Sequence, residues 1–216
     1  MTETLSERLR STVAHLSTIA PPQLFSVFGA EQRRLAGEHD PATPIQVGAS
    51  LPTATLADPA GREVTVPAAQ RPTVVVFYRG AWCPYCNVAL GAYQREVLPE
   101  LLEQGVDFVA ISPQGPDGSL TVAEQNDLAF PVLTDRGNAY ARSLGLTFEL
   151  TEDVQEAQLA FGNDFATINA DGDWTLPKPT VIVTDREGVV RFVDVRADYT
   201  GRTEPEAILQ AVRSLP

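Results

Sequence analysis

The residues best suited to chemistry are two cysteines in one short stretch, Ala81-Trp82-Cys83-Pro84-Tyr85-Cys86, and the chain has no others. The stretch follows an apolar run and precedes a helical pattern, so a strand is expected to deliver Cys83 to the first turn of a helix. There, free N–H groups and the helix dipole favour the thiolate, the nucleophilic form of cysteine. The pattern predicts thiol redox chemistry, with a reachable first sulfur of low pKa.

Two other interpretations of the cysteine pair have less support. A zinc site needs two more ligands, and the two histidines, His15 and His39, lie far upstream at a spacing typical of no metal motif. An inert buried pair is disfavoured because a C-x-x-C at a helix start usually leaves its first sulfur accessible. We therefore expect no metal and no prosthetic cofactor.

Composition narrows the class of protein. A chain of 216 residues that is 44% hydrophobic and 20% charged fits one soluble globular domain with an appendage. The net charge of −12 argues against binding to nucleic acid or to an anionic membrane surface. No stretch approaches the ~20 apolar residues of a membrane span. The first residues lack the features of a signal peptide, so we expect a cytoplasmic, reducing location.

The N-terminal region is predicted to form two helices. The apolar stripe of the first consists of Leu5, Leu9, Val13 and Leu16, and Pro21-Pro22 ends that helix. The second carries Leu24, Phe25, Phe28 and Leu35. A Gly- and Pro-containing loop over 37–44 then predicts a boundary, with a helical extension over 1–44 and the main domain over 45–216.

The main domain alternates strands and helices. Predicted strands are 53–57 and 63–66, which form a hairpin, then 73–78, 106–112 and 130–133, and a second hairpin of 180–184 and 189–195. Predicted helices are 83–104 with a kink at Pro99, 119–128 and 206–215. Parallel strands joined by a helix, together with antiparallel hairpins, indicate an α/β fold in which helices cover a mixed central sheet.

This order of elements around the cysteine motif resembles the thioredoxin superfamily, and more closely the peroxiredoxin-like branch of the alkyl hydroperoxide reductase and thiol-specific antioxidant group. The matching stretches are 77–87 with Trp-Cys-Pro-Tyr-Cys, 110–114 (Ala-Ile-Ser-Pro-Gln), 130–135 (Phe-Pro-Val-Leu-Thr-Asp) and 194–205. The resemblance implies a thioredoxin-like fold with an N-terminal β-hairpin, to which the helical extension is added.

The resemblance leaves two reactions open. In a peroxidase, Cys83 would attack a hydroperoxide and become a sulfenic acid, Cys86 would form a disulfide with it, and a thioredoxin-type or low-molecular-weight thiol would reduce that disulfide. In a thiol–disulfide oxidoreductase, Cys83 would attack a disulfide directly. A non-enzymatic redox-sensing or metal-binding module is a third interpretation. A homodimer is a further expectation.

Two departures from ordinary peroxiredoxins bear on the choice. Those enzymes have a Thr or Ser three residues before the reactive cysteine, and this chain has Gly80 there. They also have an Arg at the start of the strand that faces the active site, and this chain has Pro179 there. Pro179 resembles the cis-proline of thioredoxins. The cation left to activate a peroxide is Arg79. Together with Trp82, Pro84 and Pro179, it is expected to bind substrate or stabilise the thiolate.

Overall fold

A computed structural model of the protein describes residues 3–37 and 44–216, without the side chains of residues 118–121. The two predicted N-terminal helices are present as α1 (Leu5–Ile19) and α2 (Pro22–Gly37). Residues 38–43 of the predicted loop lie outside the described residues, and the domain boundary at residue 44 stays a prediction. No helix of the described chain is both long and apolar enough to cross a bilayer.

The centre of the fold is a mixed sheet of seven strands in the order β2-β1-β5-β4-β3-β8-β9. The strands are β1 (Ala54–Ala57), β2 (Glu63–Val66), β3 (Thr73–Phe77), β4 (Asp107–Ser112), β5 (Val132–Thr134), β8 (Thr180–Thr184) and β9 (Val190–Val195). β3, β4 and β5 are parallel, whereas β8 pairs with β3 in the antiparallel sense. The predicted mixed sheet is confirmed. The central strands β3 and β8 are buried along their whole length, as their continuous apolar runs indicate.

Helices cover the sheet. Those after α2 are α3 (Pro84–Glu96), α4 (Leu98–Gln104), α5 (Pro116–Gln125), α6 (Ala139–Ser143), α7 (Glu152–Ala160), α8 (Phe165–Ile168) and α9 (Pro205–Arg213). The helix predicted over 83–104 is interrupted at Val97, which separates α3 from α4. The predicted kink is therefore confirmed, because Pro99 lacks an N–H and its ring clashes with the preceding turn.

Between residues 138 and 179 the sequence predicts no element, yet this region holds α6, α7, α8 and a two-stranded sheet of β6 (Thr147–Glu149) and β7 (Thr175–Pro177). Each of these elements has only three to nine residues. A periodic apolar pattern needs a longer window to be recognised, so propensity alone could not reveal them.

The segment 198–204 holds the two N-terminal helices against the domain. The Glu204 carboxylate accepts hydrogen bonds from the N–H groups of Leu5 (3.0 Å) and Ser6 (2.8 Å), at the start of α1. The Tyr199 hydroxyl donates to the carbonyl oxygen of Phe28 in α2, at 3.0 Å. A carboxylate satisfies the free N–H groups of a helix start and complements its dipole, so this segment caps α1 and fastens α2.

Candidate active site

The cysteine motif lies where the central strand β3 leaves the sheet. Tyr78 still donates its N–H to Ile111 of the neighbouring strand (2.9 Å), and the chain then turns into α3. Cys83 occupies the position before the first turn of α3, and its carbonyl oxygen accepts the N–H of Cys86 at 3.0 Å. The predicted delivery of Cys83 by a strand to a helix start is confirmed.

Both sulfurs are buried. Cys83 and Cys86 each have 0% of their surface exposed, and both are free thiols. The prediction of an exposed first sulfur is therefore wrong. The side chain of Arg79 crosses the site, with its guanidinium stacked between the rings of Trp82 (4.6 Å) and Tyr199 (4.2 Å). The side chains of Arg79, Trp82 and Tyr199 lie outside the C-x-x-C motif itself. The motif alone therefore does not indicate that its sulfurs are buried.

Arg79 also faces the first sulfur. Its Nη1 lies 4.0 Å from Cys83 Sγ, and its backbone N–H points at Cys86 Sγ at 3.4 Å. Arg79 is 3% exposed, and its Nε has no acceptor among the described residues. Burial between two aromatic faces strengthens the field of a cation at the neighbouring sulfurs.

A second arginine, Arg202, lies closer to the pair and was not predicted. Its Nη2 is 3.0 Å from Cys86 Sγ and 3.8 Å from Cys83 Sγ, while Nη1 donates to the carbonyl oxygens of Tyr199 and Gly201. Arg202 is 6% exposed and lies in the loop between β9 and α9. Its position within the stretch 194–205 was the only signal in the sequence, because nothing in its spacing from the cysteines indicates contact.

The electrostatics of the site distinguish the two thiols. Burial raises the pKa of Cys83, and its hydrogen bond to Cys86 raises it further. Burial also opposes the Cys86 thiolate, but the hydrogen bond from Cys83 and the charges of Arg202 and Arg79 outweigh it and hold the pKa of Cys86 well below its usual range. In the reduced pair these interactions favour the thiolate on Cys86 over the thiolate on Cys83. The low pKa expected of Cys83 stays a prediction.

Gly80, the residue that stands where many peroxiredoxins have Thr or Ser relative to Cys83, is required by its surroundings. Its φ is +147°, and a Cβ there would lie 2.4 Å from Trp82 Nε1 and 2.8 Å from Gln114 Oε1. Gln114 Oε1 accepts the N–H of Ala81 at 2.6 Å. A threonine at this position would have to displace both side chains, so the surroundings of Gly80 leave no space for the hydroxyl.

The two prolines of the predicted site lie in different environments. Pro84 begins α3 beside Cys83, as a residue without an N–H can at the first helical position. Pro179 is buried before β8, and its carbonyl oxygen accepts the N–H of Arg196 at 2.9 Å. The Lys178–Pro179 bond is trans, since the cis bond found in the described chain is Val66–Pro67. The thioredoxin-like cis conformation implied for Pro179 is therefore wrong.

A cleft of about 400 Å³ opens onto the first cysteine. Its inner end is formed by Arg79, Trp82, Cys83, Pro84 and Tyr199. Its walls come from α1, α2 and the end of α7. Cys86 and Pro179 are not among the lining residues. The structure thus brings Arg79, Trp82 and Pro84 together around Cys83, and leaves Pro179 outside the cleft.

No group of three or more His, Cys, Asp or Glu residues in the described part of the chain is arranged to hold a metal ion. The groups gathered around Cys83 and Cys86 are two guanidiniums and aromatic rings. Such a set can stabilise a thiolate and transfer electrons through sulfur.

Several known proteins are similar to this chain. The Escherichia coli (strain K12) protein "Peroxiredoxin Bcp" is 32% identical over 105 residues. The match covers 48% of this chain and 66% of that relative, so it spans a little less than two thirds of the relative's length.

Solved structures share the fold at lower identity. Reduced Prx3 from Vibrio vulnificus, in complex with hydrogen peroxide, has a TM-score of 0.62 and 22% identity, covering 78% of this chain and 99% of that one. Peroxidoxin BcpB from Mycobacterium tuberculosis has a TM-score of 0.60 and 19% identity, covering 80% and 99%. These neighbours confirm the thioredoxin-like fold of the peroxiredoxins. The profile of the AhpC/TSA family matches residues 47–193, which is more than half of the sequence, and the chain therefore belongs to the AhpC/TSA family.

Proposed function

We propose that the protein is a thiol peroxidase, which reduces hydroperoxides with electrons from an external thiol. The observation that carries the proposal is the arrangement of two hydrogen-bonded thiols between two buried guanidiniums, with the first thiol at the end of a cleft. A site of this kind favours the thiolate and the anionic oxygen that forms when an O–O bond breaks. Membership of the AhpC/TSA family supports the same reaction.

In the first step Cys83 is the nucleophile, because it lines the cleft and Cys86 does not. The Cys83 thiol gives its proton to the Cys86 thiolate through the hydrogen bond that joins them. The Cys83 thiolate attacks the terminal oxygen of the hydroperoxide, and the O–O bond breaks. The leaving alkoxide, or hydroxide when the substrate is hydrogen peroxide, takes the proton back from Cys86. Cys83 is then a sulfenic acid and Cys86 is again a thiolate.

In the second step Cys86 acts as the resolving cysteine. Its thiolate attacks the Cys83 sulfur, the S–O bond breaks, and hydroxide leaves as the disulfide forms. The one-turn spacing of the motif at a helix start brings the two Cα atoms within the ~4.4–6.8 Å that a disulfide needs. Arg202, at 3.0 Å from Cys86 Sγ, keeps this thiolate ready for the attack.

External thiols complete the cycle by thiol–disulfide exchange. A thioredoxin-type protein would supply both thiols, whereas two molecules of a low-molecular-weight thiol would react in turn, the first forming a mixed disulfide and the second releasing it. Because the cycle depends on a supply of reduced thiols, a cytoplasmic location is part of the proposal. We also propose a homodimer, which sedimentation equilibrium would test.

Thiol–disulfide exchange with other molecules is the second candidate function. The C-x-x-C motif itself and Gly80 in place of the usual hydroxyl favour it. The position of Cys83 at the inner end of the cleft favours a small hydroperoxide over a bulky disulfide as the substrate that the reduced protein attacks.

Stopped-flow oxidation of the fully reduced protein by hydrogen peroxide and cumene hydroperoxide tests the proposal. The wild type should react far faster than a free thiol and end as a Cys83–Cys86 disulfide. C83S should lose the fast reaction, whereas C86S should react more slowly, once, and leave a sulfenic acid on Cys83. Oxidation of the wild type no faster than that of free cysteine would contradict the function. A sulfenic acid on Cys86 in C83S would contradict the assignment of roles.

A further inference from the structure

About half of the residues that line the cleft ending at Cys83 lie outside the part of the chain that matches the AhpC/TSA family. The matched residues are 47–193, whereas α1 and α2 end at residue 37. These helices contribute apolar side chains to the cleft: Val13, Leu16 and Ile19 from α1, and Phe25 and Phe28 from α2. Phe161, at the end of α7, packs against Phe28 with ring centroids 5.6 Å apart.

Charged groups are nearly absent from this cleft, although the whole chain carries a net charge of −12. Among the residues that the structure describes, the lining contains no Asp or Glu, and its one charged residue is Arg79 at the inner end, beside Cys83. Polar side chains in the wall already have partners: Gln32 donates to Asp198 and Thr200, and Asn163 donates to Gln158. The walls therefore offer apolar contacts to a ligand, and a polar group of that ligand would lie at the inner end, beside Arg79 and Cys83.

Apolar surface is also left exposed at the cleft. Ile19 is 64% exposed and Phe161 is 43% exposed, and both line it. Large apolar side chains that cluster around a concave site are typical of ligand-binding surfaces. The volume of about 400 Å³ falls within the range of small-molecule sites and is too small for a folded partner.

We infer that α1 and α2 form the acceptor site for the apolar group of an organic hydroperoxide, so that the enzyme selects bulky apolar hydroperoxides over hydrogen peroxide. This inference rests on the proposed peroxidase function. The apolar group lies between the helices, and the hydroperoxide group reaches Cys83 and Arg79, whose Nε has no acceptor among the described residues. Hydrogen peroxide has no apolar group and makes none of the contacts with the helices.

Steady-state kinetics with hydrogen peroxide, tert-butyl hydroperoxide and cumene hydroperoxide test the selection. The wild type should show a KM that falls in this order, by roughly tenfold or more between the first and the last, since each apolar group added to a fitting pocket contributes a factor of this size. A KM for hydrogen peroxide equal to or below that for cumene hydroperoxide would overturn the inference while leaving the peroxidase function intact.

Variants connect the selection to the helices. I19Q and F25A should lower kcat/KM for cumene hydroperoxide by roughly five- to tenfold and change that for hydrogen peroxide less than about twofold. The matched control is L102Q, since Leu102 is 66% exposed on α4 and does not line the cleft. It should change neither value. Equal losses for both peroxides in I19Q and F25A, or no loss for either, would overturn the inference.

A binding measurement separates this inference from the proposed function. The probe is 2-phenyl-2-propanol, the alcohol that cumene hydroperoxide leaves, and its binding to the C83S protein is followed by tryptophan fluorescence, because Trp82 lines the cleft. Saturable binding that is weakened in I19Q and F25A supports the acceptor site even if turnover is absent. An absence of saturable binding overturns the acceptor site whatever the kinetics of peroxide reduction.

Discussion

Arg202 Nη2 lies 3.0 Å from the sulfur of Cys86, closer than any other guanidinium nitrogen comes to either cysteine sulfur. The contact is buried, and the two residues are 116 positions apart in the chain. A hydrogen bond between a buried guanidinium and a thiolate is charge-assisted, and its stabilising effect is larger than that of a neutral hydrogen bond. The fold therefore places the negative charge of the reduced pair on the second cysteine.

Replacing Arg202 with methionine should raise the pH at which the thiolate forms. Loss of a hydrogen bond to a charged group costs about 1.5–3 kcal/mol, which corresponds to a rise of about one to two pH units. Ultraviolet absorbance of the thiolate, followed against pH, measures the midpoint. R202K should lie between R202M and wild type. R186M is the control, because Arg186 is exposed in the β8–β9 turn, and an equal shift in that variant would contradict the assignment.

The rate of oxidation by peroxide should depend on pH in a way that follows the lowered pKa of Cys86. Above that pKa the pair carries one negative charge, and the rate is sustained at a pH where an ordinary thiol is largely protonated. As pH falls through the lowered pKa, the pair gains a second proton and the rate declines.

The C86S protein supplies the comparison for this pH profile. The C86S protein lacks the Cys86 thiolate, and its remaining thiol is Cys83. Burial is the main cause that raises the pKa of Cys83. The rate of the C86S protein should therefore keep rising with pH beyond the ~8.5 of an ordinary cysteine. Identical pH profiles for C86S and wild type would show that Cys86 does not carry the charge.

Substitution of Gly80 by alanine should impair the site sterically. The new Cβ would lie 2.4 Å from Trp82 Nε1, and the backbone φ of +147° adds strain. We expect a loss of about 1–3 kcal/mol in the free energy of unfolding and a clearly slower oxidation by peroxide. Urea denaturation and stopped-flow kinetics measure the two effects.

Gly105 offers the matched control for this substitution. It also has a positive φ, +67°, but a Cβ there would meet nothing within 4 Å. G105A should therefore lower stability by about 1 kcal/mol through backbone strain and leave the rate unchanged. If G80A and G105A behave alike, the contact with Trp82 has no role in the site.

Substitution of Glu204 by glutamine should loosen α1. The carboxylate of Glu204 accepts the N–H groups of Leu5 and Ser6, and an anion at a helix start contributes about 0.3–2 kcal/mol. Hydrogen exchange should become faster in the first turns of α1. E206Q is the control, because the exposed ion pair of Glu206 with Arg213 contributes at most about 1 kcal/mol. Unchanged exchange in E204Q would contradict the role of Glu204 as a cap.

The sequence predicted the sheet, the long helices and the strand-to-helix delivery of Cys83, because long apolar runs and a helix start are local signals. It also drew attention to Arg79, Trp82 and Pro84, which are neighbours of the cysteines in the chain. Arg202 was missed because its contact with Cys86 depends on how the loop before α9 folds back over the sheet. The burial of Cys83 was missed for the same reason, since Tyr199 comes from that loop.

The contact between Arg202 and Cys86 has a consequence for the reduction potential of the pair. The thiolate and the guanidinium attract each other only in the dithiol state, because forming the disulfide removes the negative charge and leaves the buried cation of Arg202 without it. An interaction confined to the reduced state makes a disulfide a stronger oxidant. We therefore expect the Cys83–Cys86 couple to be more oxidising than the same couple in R202M by about 30–60 mV, the equivalent of a ten- to hundredfold change in the equilibrium with glutathione. A more oxidising disulfide is more readily reduced by an external thiol. Arg202 therefore stabilises the thiolate before the reaction and also favours the return of the oxidised enzyme to the dithiol state.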